Sequence, residues 1–281
     1  MKKIAIIGAG ISGLFFANLI EKNKSYSYKI FERKNSIDIN DGYGIQLSVN
    51  SIKLLNNIGF NKFSNSKLYF PKKVSFLNAK DSKKICDIDL SKFNDENSRY
   101  TTLKRSNLIE FLLDGIPKDK LNFDYDLIDI KQGDKASLLF SDKESIEFDY
   151  LVAADGIYSK TKQILFKKEG LPEYFDAIAL RGTIRDFDCF DISLYLGPNF
   201  HFVTYPINQK REYNFISVIK EKNLKEIQSS NQEKLIQYFI DKIQHHSSYN
   251  LNNNLENKSI YPIFVSNRLR IPENKKIING S

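Results

Sequence analysis

Two cysteines, Cys86 and Cys189, are all that this chain of 281 residues carries, and they lie far apart and alone. That spacing builds neither a disulfide framework nor a thiolate metal site. Histidine is almost as scarce, and of the three, His245 and His246 end a charged helical stretch with no third ligand near them. Arginine is limited to eight residues, and the net charge of +8 is scattered in lysine singles and pairs such as Lys72-Lys73 and Lys83-Lys84. Without a basic stripe interleaved with aromatics, a nucleic-acid partner is not expected. The surplus reads as a solvated lysine surface whose mild field favours anionic cofactors and carboxylates. No apolar run approaches the ~20 residues of a membrane span. The stretch after Met1-Lys2-Lys3 is broken by three glycines and offers no small-x-small cleavage site, so it is not read as a secretory signal. With 41% hydrophobic and 27% charged residues, the expectation is an ordinary globular chain of a reducing cytoplasm, without a membrane partner.

What the chain does have begins at its fourth residue. The apolar run Ile4 to Ile7 breaks into Gly8-x-Gly10-x-x-Gly13, an apolar helical stripe follows (Leu14, Ala17, Asn18, Ile20), and a second strand, Tyr28 to Phe31, ends in Glu32, 19 residues after Gly13. This is the pattern of a nucleotide-binding βαβ unit. Gly8 permits the tight bend, Gly10 removes the Cβ that would block a pyrophosphate, and Gly13 lets the helix approach the sheet. A helix opening near Ser12 aims its free N–H groups and positive dipole end at phosphates. Glu32 is placed to accept from both hydroxyls of an adenosine ribose, which argues against a 2′-phosphorylated dinucleotide in this site.

Farther along, helices are expected over Ile52–Ile58, Leu108–Leu113 and Gln232–His245, with a meander of three short strands over Phe123–Phe148. The run Asp149 to Gly156 repeats the logic of a strand ending at small residues and an acid. Residues 174 to 219 read as four strands, 177–184, 192–196, 200–205 and 213–219, and the asparagine-rich stretch 250–257 reads as a loop before a strand at 260–265.

This order of motifs resembles the FAD-dependent aromatic hydroxylases, the single-component flavoprotein monooxygenases of the p-hydroxybenzoate and salicylate hydroxylase type. The resemblance runs through nearly the whole chain. The first motif of that family is matched by Gly8, Gly10, Ser12, Gly13 and Glu32, with Arg33 along the adenosine half of the cofactor. Ile45, in Gly44-Ile45-Gln46-Leu47-Ser48-Val49-Asn50, is similar to the segment that passes the flavin, and Arg105 to an arginine that reaches the cofactor. The second, more specific motif is matched by Ala154-Asp155-Gly156-Ile157-Tyr158-Ser159, with Lys162 where arginine is usual. Lysine keeps the charge but not the bidentate fork.

His201, Val203 and Tyr205 share one strand face. The resemblance to His-x-x-x-Tyr-Pro of the salicylate and 3-hydroxybenzoate branch makes His201 a candidate base for a phenolic proton, because imidazole titrates near neutrality. Tyr205 would orient the substrate. A satisfied strand histidine is the competing reading. Arg181 either anchors a substrate carboxylate or pairs with a surface acid.

The implied fold class is α/β, a Rossmann-like FAD-binding domain (1–68, 98–170 and 265–281) interleaved with a β-sheet substrate domain (69–97 and 171–264). The implied activity is hydroxylation of a small phenolic or carboxylated aromatic using FAD, O₂ and NADH or NADPH as transient reductant, with no metal. The absence of tryptophan excludes the Trp-x-Trp-x-Ile-Pro signature of the related flavin halogenases. The family's third motif, a strand ending in Gly-Asp, is approached by Ile277-Ile278-Asn279-Gly280, with Ser281 in the place of the acid. The expectation is a chain shortened before that motif, with reduced FAD affinity. Two other classes share the first two motifs: a catalytically silent nucleotide-binding fragment, and a flavin reductase or epoxidase.

Overall fold

The computed structural model describes residues 1–23, 25–37, 39, 43–184, 187, 189–210, 212–223, 231–266 and 277–279. Gly280 and Ser281, where the third motif was expected, lie outside the described residues. Two compact units are resolved. The first comprises Met1–Asn40, Leu108–Glu173 and Phe264–Ser281, and the second Asp41–Asn107 and Tyr174–Ile263.

In the first unit five parallel strands stand in the order Ile277–Asn279, Tyr150–Ala153, Lys2–Ile7, Tyr26–Phe31, Leu121–Asn122. The unbroken apolar run Ile4–Ile7 is the mark of a parallel strand covered on both faces, and all four residues are buried. Ala5, Ile7, Phe31 and Leu151 pack beneath an antiparallel meander, Leu127–Gln132, Ala136–Phe140 and Ile146–Phe148, through Leu138, Phe140 and Phe148. The opposite face, at Ile6, meets Gly13 of the helix Ile11–Glu21. Within that helix Asn18 is buried among Leu14, Ala17 and Ile20, which its side-chain amide makes tolerable by donating to the carbonyls of Leu14 (2.9 Å) and Leu112 (2.7 Å).

The second unit is built on a seven-stranded sheet in the order Leu255–Val265, Glu173–Ile184, Tyr213–Lys220, Phe200–Pro206, Ile192–Gly197, Lys73–Asn78, Lys84–Asp89. Period-two alternation splits its side chains. Ile178, Leu180, Phe202 and Phe215 pack on one face against Leu235, Phe239, Ile240 and Ile243 of the helix Gln232–Gln244. On the other face Ile192, Val203 and Tyr205 join Leu90 and Ile207. That helix starts where Asn231 accepts from the N–H groups of Glu233 and Lys234. A smaller sheet is formed by Gly44–Leu47, Thr101–Lys104 and Leu68–Tyr69.

The asparagine-rich stretch departs from expectation. Instead of a loop through Asn257, a short helix Leu251–Asn254 runs directly into the strand Leu255–Val265. Burial of Leu251 and Leu255 and the ladder at the sheet edge outweigh the poor strand propensity of asparagine.

Candidate functional site

The glycine motif of the first unit folds as three different solutions. Gly8 sits at φ 101°, a left-handed conformation, and a Cβ there would overlap the carbonyl oxygen of Ala154. Gly13 is pressed so closely on Gly8 that a Cβ would overlap the Gly8 carbonyl oxygen. Gly10 is the N-cap residue of the helix Ile11–Glu21, and a Cβ on it would meet nothing within 4 Å. The open space at Gly10 is therefore available to a ligand, and the helix has no acid in its first turn to neutralise its positive end. Ser12 is exposed in that first turn.

A cavity of about 210 Å³ opens there, lined among others by Gly8, Gly10, Glu32, Arg33, Asp155 and Gly156. Glu32 is held in place by accepting from the backbone N–H of Ala9 at 2.9 Å through Oε2 and of Lys34 at 3.0 Å through Oε1. Each oxygen keeps further acceptor capacity for a ribose hydroxyl. Asp155 accepts from the Ser159 hydroxyl at 2.6 Å and from the Thr161 N–H at 2.9 Å, while Ser159 accepts from the Lys162 N–H at 3.0 Å. The acid thus lines the cavity and also fixes the cap of the helix Lys160–Phe166. Lys162 is buried, and its ammonium donates to the Ser266 hydroxyl at 3.1 Å.

Sequence reading missed Lys34, Tyr125, Asp126 and Lys160 in the same lining, and quoted Tyr158 only as part of the second motif. Tyr125 and Asp126 belong to no motif; they arrive because the Tyr125 N–H donates to the Glu32 carbonyl at 3.0 Å. An uncrowded helix N-terminus, a fixed acid at the second strand end, and the cations of Arg33, Lys34 and Lys160 are a donor set that fits the adenosine and pyrophosphate of a dinucleotide.

In the second unit, Arg181, Ile216 and Val203 lie directly opposite one another on three neighbouring strands, so Arg181 shares the face of His201 and Tyr205. The Arg181 guanidinium lies 5.6 Å from the Tyr43 ring centroid and 5.4 Å from that of Tyr261, whose hydroxyls are 3.2 Å apart. Its Nε is buried and has no hydrogen-bond partner among the described residues. Of the two sequence readings of this arginine, pairing with a surface acid finds no counterpart among the described residues.

Tyr205 is buried, and burial pushes its phenol far above the ordinary value, against the opposing pull of Gln46 and of the charge of Arg181. The Tyr100 hydroxyl donates to Gln46 Oε1 at 2.9 Å. Gln46 is carried by the strand Gly44–Leu47, which is tied down where the Gly44 N–H donates to Asn214 Oδ1 at 2.6 Å. His201 is half-buried near the start of its strand, and burial lowers its pKa. It is four residues from Tyr205, roughly 13 Å along an extended strand, so the structure puts both on one face without bringing them together. Arg105 and Ile45 also lie in this unit, Ile45 opposite Leu103 and the Arg105 N–H donating to the Tyr43 carbonyl at 2.7 Å.

No protein-family model matches the chain. Over 227 residues it is 24% identical to 3-amino-4-hydroxybenzoate 2-monooxygenase of Streptomyces cremeus, covering 77% of this chain and 56% of that enzyme. Over 249 residues it is 22% identical to 3-hydroxybenzoate 6-hydroxylase of Klebsiella oxytoca, covering 83% and 62%. The chain spans 36% to 62% of the length of such curated relatives. Klebsiella pneumoniae HpxO, solved with FAD and uric acid, shares the fold with a TM-score of 0.78 at 17% identity, over 99% of this chain and 72% of that one. Among the described residues no helix is long and apolar enough to cross a membrane. Sequence relationship and fold together identify the chain as a relative of the FAD-dependent aromatic hydroxylases.

Proposed function

We propose that the chain binds FAD in the first unit and hydroxylates a small phenolic or carboxylated aromatic, with NADH or NADPH as reductant. The observation that carries the reading is the cradle at Gly10. It combines an open helix N-terminus with the restrained Glu32 carboxylate, in a chain whose relatives include monooxygenases of hydroxybenzoates. The backbone N–H groups at Ser12 and Gly13 would hold the pyrophosphate, Glu32 the adenosine ribose, and Arg33 the adenosine side. Asp155 would lie near the phosphates and ribose through the turn that it fixes. Ile45 and Arg105 are assigned to the flavin end by resemblance. When bound, the flavin supplies the oxygen-activating redox chemistry.

The protein's own work in this reading is binding, orientation and proton handling. Arg181 anchors an anionic group of the substrate, Tyr205 orients its ring, and His201, kept neutral by its lowered pKa, is the base for a phenolic proton. The functional division 1–68, 98–170 and 265–281 for cofactor and 69–97 and 171–264 for substrate belongs to the same proposal, as does residence in the cytoplasm.

The test begins with colour. Purified chain incubated with FAD and desalted is expected to retain a flavin spectrum, and a chain that takes up no FAD overturns the proposal. NADH or NADPH consumption should then rise with a panel of hydroxybenzoates and fall in His201→Ala, and equal stimulation in both would remove the proposed base. A second reading, FAD binding without turnover, draws on the limited share of the relatives' length that the chain spans. Flavin retention with no substrate-stimulated oxidation would select it.

A further inference from the structure

We propose that Asn214 is a positioning residue for the flavin end of the site: through the N–H of Gly44 it holds the strand Gly44–Leu47, and with it Ile45 and Arg105, at a fixed distance from the seven-stranded sheet. This rests on the FAD reading, which assigns Ile45 and Arg105 to the flavin by resemblance, and adds the side chain that places them.

Gly44–Leu47 is an edge strand whose ladder partner among the described residues is Thr101–Lys104. Opposed residues of an antiparallel pair alternate between hydrogen-bonded and non-hydrogen-bonded positions. The Arg105 N–H donates to the Tyr43 carbonyl at 2.7 Å, so the next pair, Gly44 with Lys104, is a non-bonded one, and the Gly44 N–H points away from the ladder. It donates instead to Asn214 Oδ1 at 2.6 Å.

Asn214 is 2% exposed and stands directly opposite Thr183 and Tyr205 on the two neighbouring strands. An amide so deeply buried is costly unless it is hydrogen-bonded, and its oxygen meets that need with a backbone group of another sheet. The fit is steric as well. A Cβ on Gly44 would lie 2.7 Å from Asn214 Cβ and 2.7 Å from Ile207 Cγ2. Strand and sheet are therefore already at contact distance, and an apolar group at 214 would leave the Gly44 N–H unpaired against it. Ile45 follows Gly44 in the chain, and Arg105 is bonded to Tyr43 just before it, so a shift at Gly44 passes to both flavin-end residues. The neighbouring strand has a tie of its own, the Thr102 hydroxyl donating to the Pro206 carbonyl. That tie supports the small sheet without touching Gly44.

The test compares the full chain with Asn214→Leu, Asn214→Asp and Thr102→Val. Amide exchange over residues 43–47 reads the contact without any ligand. Asn214→Leu, close in size and without an acceptor, should speed exchange at Gly44 about tenfold or more, whereas Asn214→Asp keeps the acceptor and should stay within about threefold of wild type. Titration with FAD, and with ADP as the flavin-free reference, reads the consequence. Asn214→Leu should lose about tenfold in FAD affinity and shift the visible flavin band while ADP affinity is unchanged. Asn214→Asp should restore FAD affinity. Thr102→Val removes a buried hydrogen bond of the same sheet; it should lower the urea midpoint yet leave the ratio of FAD to ADP affinity at the wild-type value. Asn214→Ala repeats the leucine comparison if that variant does not fold. Unchanged exchange at Gly44, equal losses of FAD and ADP, unchanged FAD affinity, an aspartate variant as impaired as the leucine one, or the same lost FAD preference in Thr102→Val would each overturn the inference. A wild type that takes up no FAD sinks the proposed function instead, and the exchange comparison then decides by itself whether Asn214 holds the strand.

Discussion

Gly13 lies against Gly8 so tightly that any Cβ on Gly13 would overlap the Gly8 carbonyl oxygen, whereas a Cβ on Gly10 would meet nothing within 4 Å. Two glycines of one motif thus answer to different demands, one to the fold and one to the ligand. Gly13→Ala is expected to destabilise the chain by about 1–3 kcal/mol, the usual range for overpacking. Gly10→Ala should leave stability within about 0.5 kcal/mol while lowering FAD affinity at least about tenfold, because its methyl enters the space kept for the pyrophosphate. Urea melts and FAD titrations of the two variants check this. Equal stability losses in both would show that Gly10 is also a packing glycine.

Glu32 makes a different kind of double contribution, since its two oxygens tie the Ala9 and Lys34 N–H groups to the end of the second strand. Glu32→Gln turns one of these acceptors into a donor facing an N–H. It is expected to cost about 1–3 kcal/mol in stability, the scale of a lost hydrogen bond to a charged group. It should also weaken FAD binding more than riboflavin binding, because only FAD carries the adenosine ribose. Parallel weakening of both ligands would move Glu32 away from the ribose.

His201 supplies a pH test. Burial lowers its pKa below the ordinary value of 6.5. The native state then resists a proton that the unfolded chain accepts, so stability should fall as pH drops through the unfolded-state value and level off below the native one. In His201→Gln the denaturation midpoint should change less between pH 7.5 and pH 5, to be measured by urea melts at half-unit steps. Parallel pH profiles would mean that the imidazole is solvated and would weaken its case as a base in a dry site.

The cofactor cradle was legible in sequence because its constraints are local: a left-handed turn at Gly8, a helix N-terminus two residues later, an acid at the next strand end. The same holds for the strands around His201 and Tyr205, whose alternation marks a sheet face. The surroundings of Tyr205 were not legible. Gln46, on a strand of a different sheet far earlier in the chain, acts on it, and nothing in the local pattern of Gln46 marks it as a neighbour. Arg181 shows the same limit: its type named two chemistries, and only the tertiary placement of Tyr43 and Tyr261 showed what surrounds it. Only the first half of the strand Leu255–Val265, expected from 260 onward, was missed, because a sheet edge and two buried leucines decide its conformation against its asparagines.

Alkaline stability should be limited by tyrosines. Burial pushes Tyr174 and Tyr195 up to about 12, and Tyr28, Tyr100 and Tyr205 are raised for the same first reason. Native chains keep these phenols protonated where unfolded chains release the protons, near the ordinary value of 10. The unfolded state then binds fewer protons, so stability falls as pH rises above about 10. Tyr195 isolates the effect, because its ring stacks on Phe202 at 4.4 Å and 14°. Tyr195→Phe keeps that stack and removes only the ionisable hydroxyl. Its urea midpoint should match wild type at pH 9 and exceed it by pH 11, with the ionisation followed by ultraviolet absorbance free of tryptophan signal. A variant whose midpoint stays parallel to wild type across that range would show that Tyr195 ionises as freely in the folded chain as in the unfolded one.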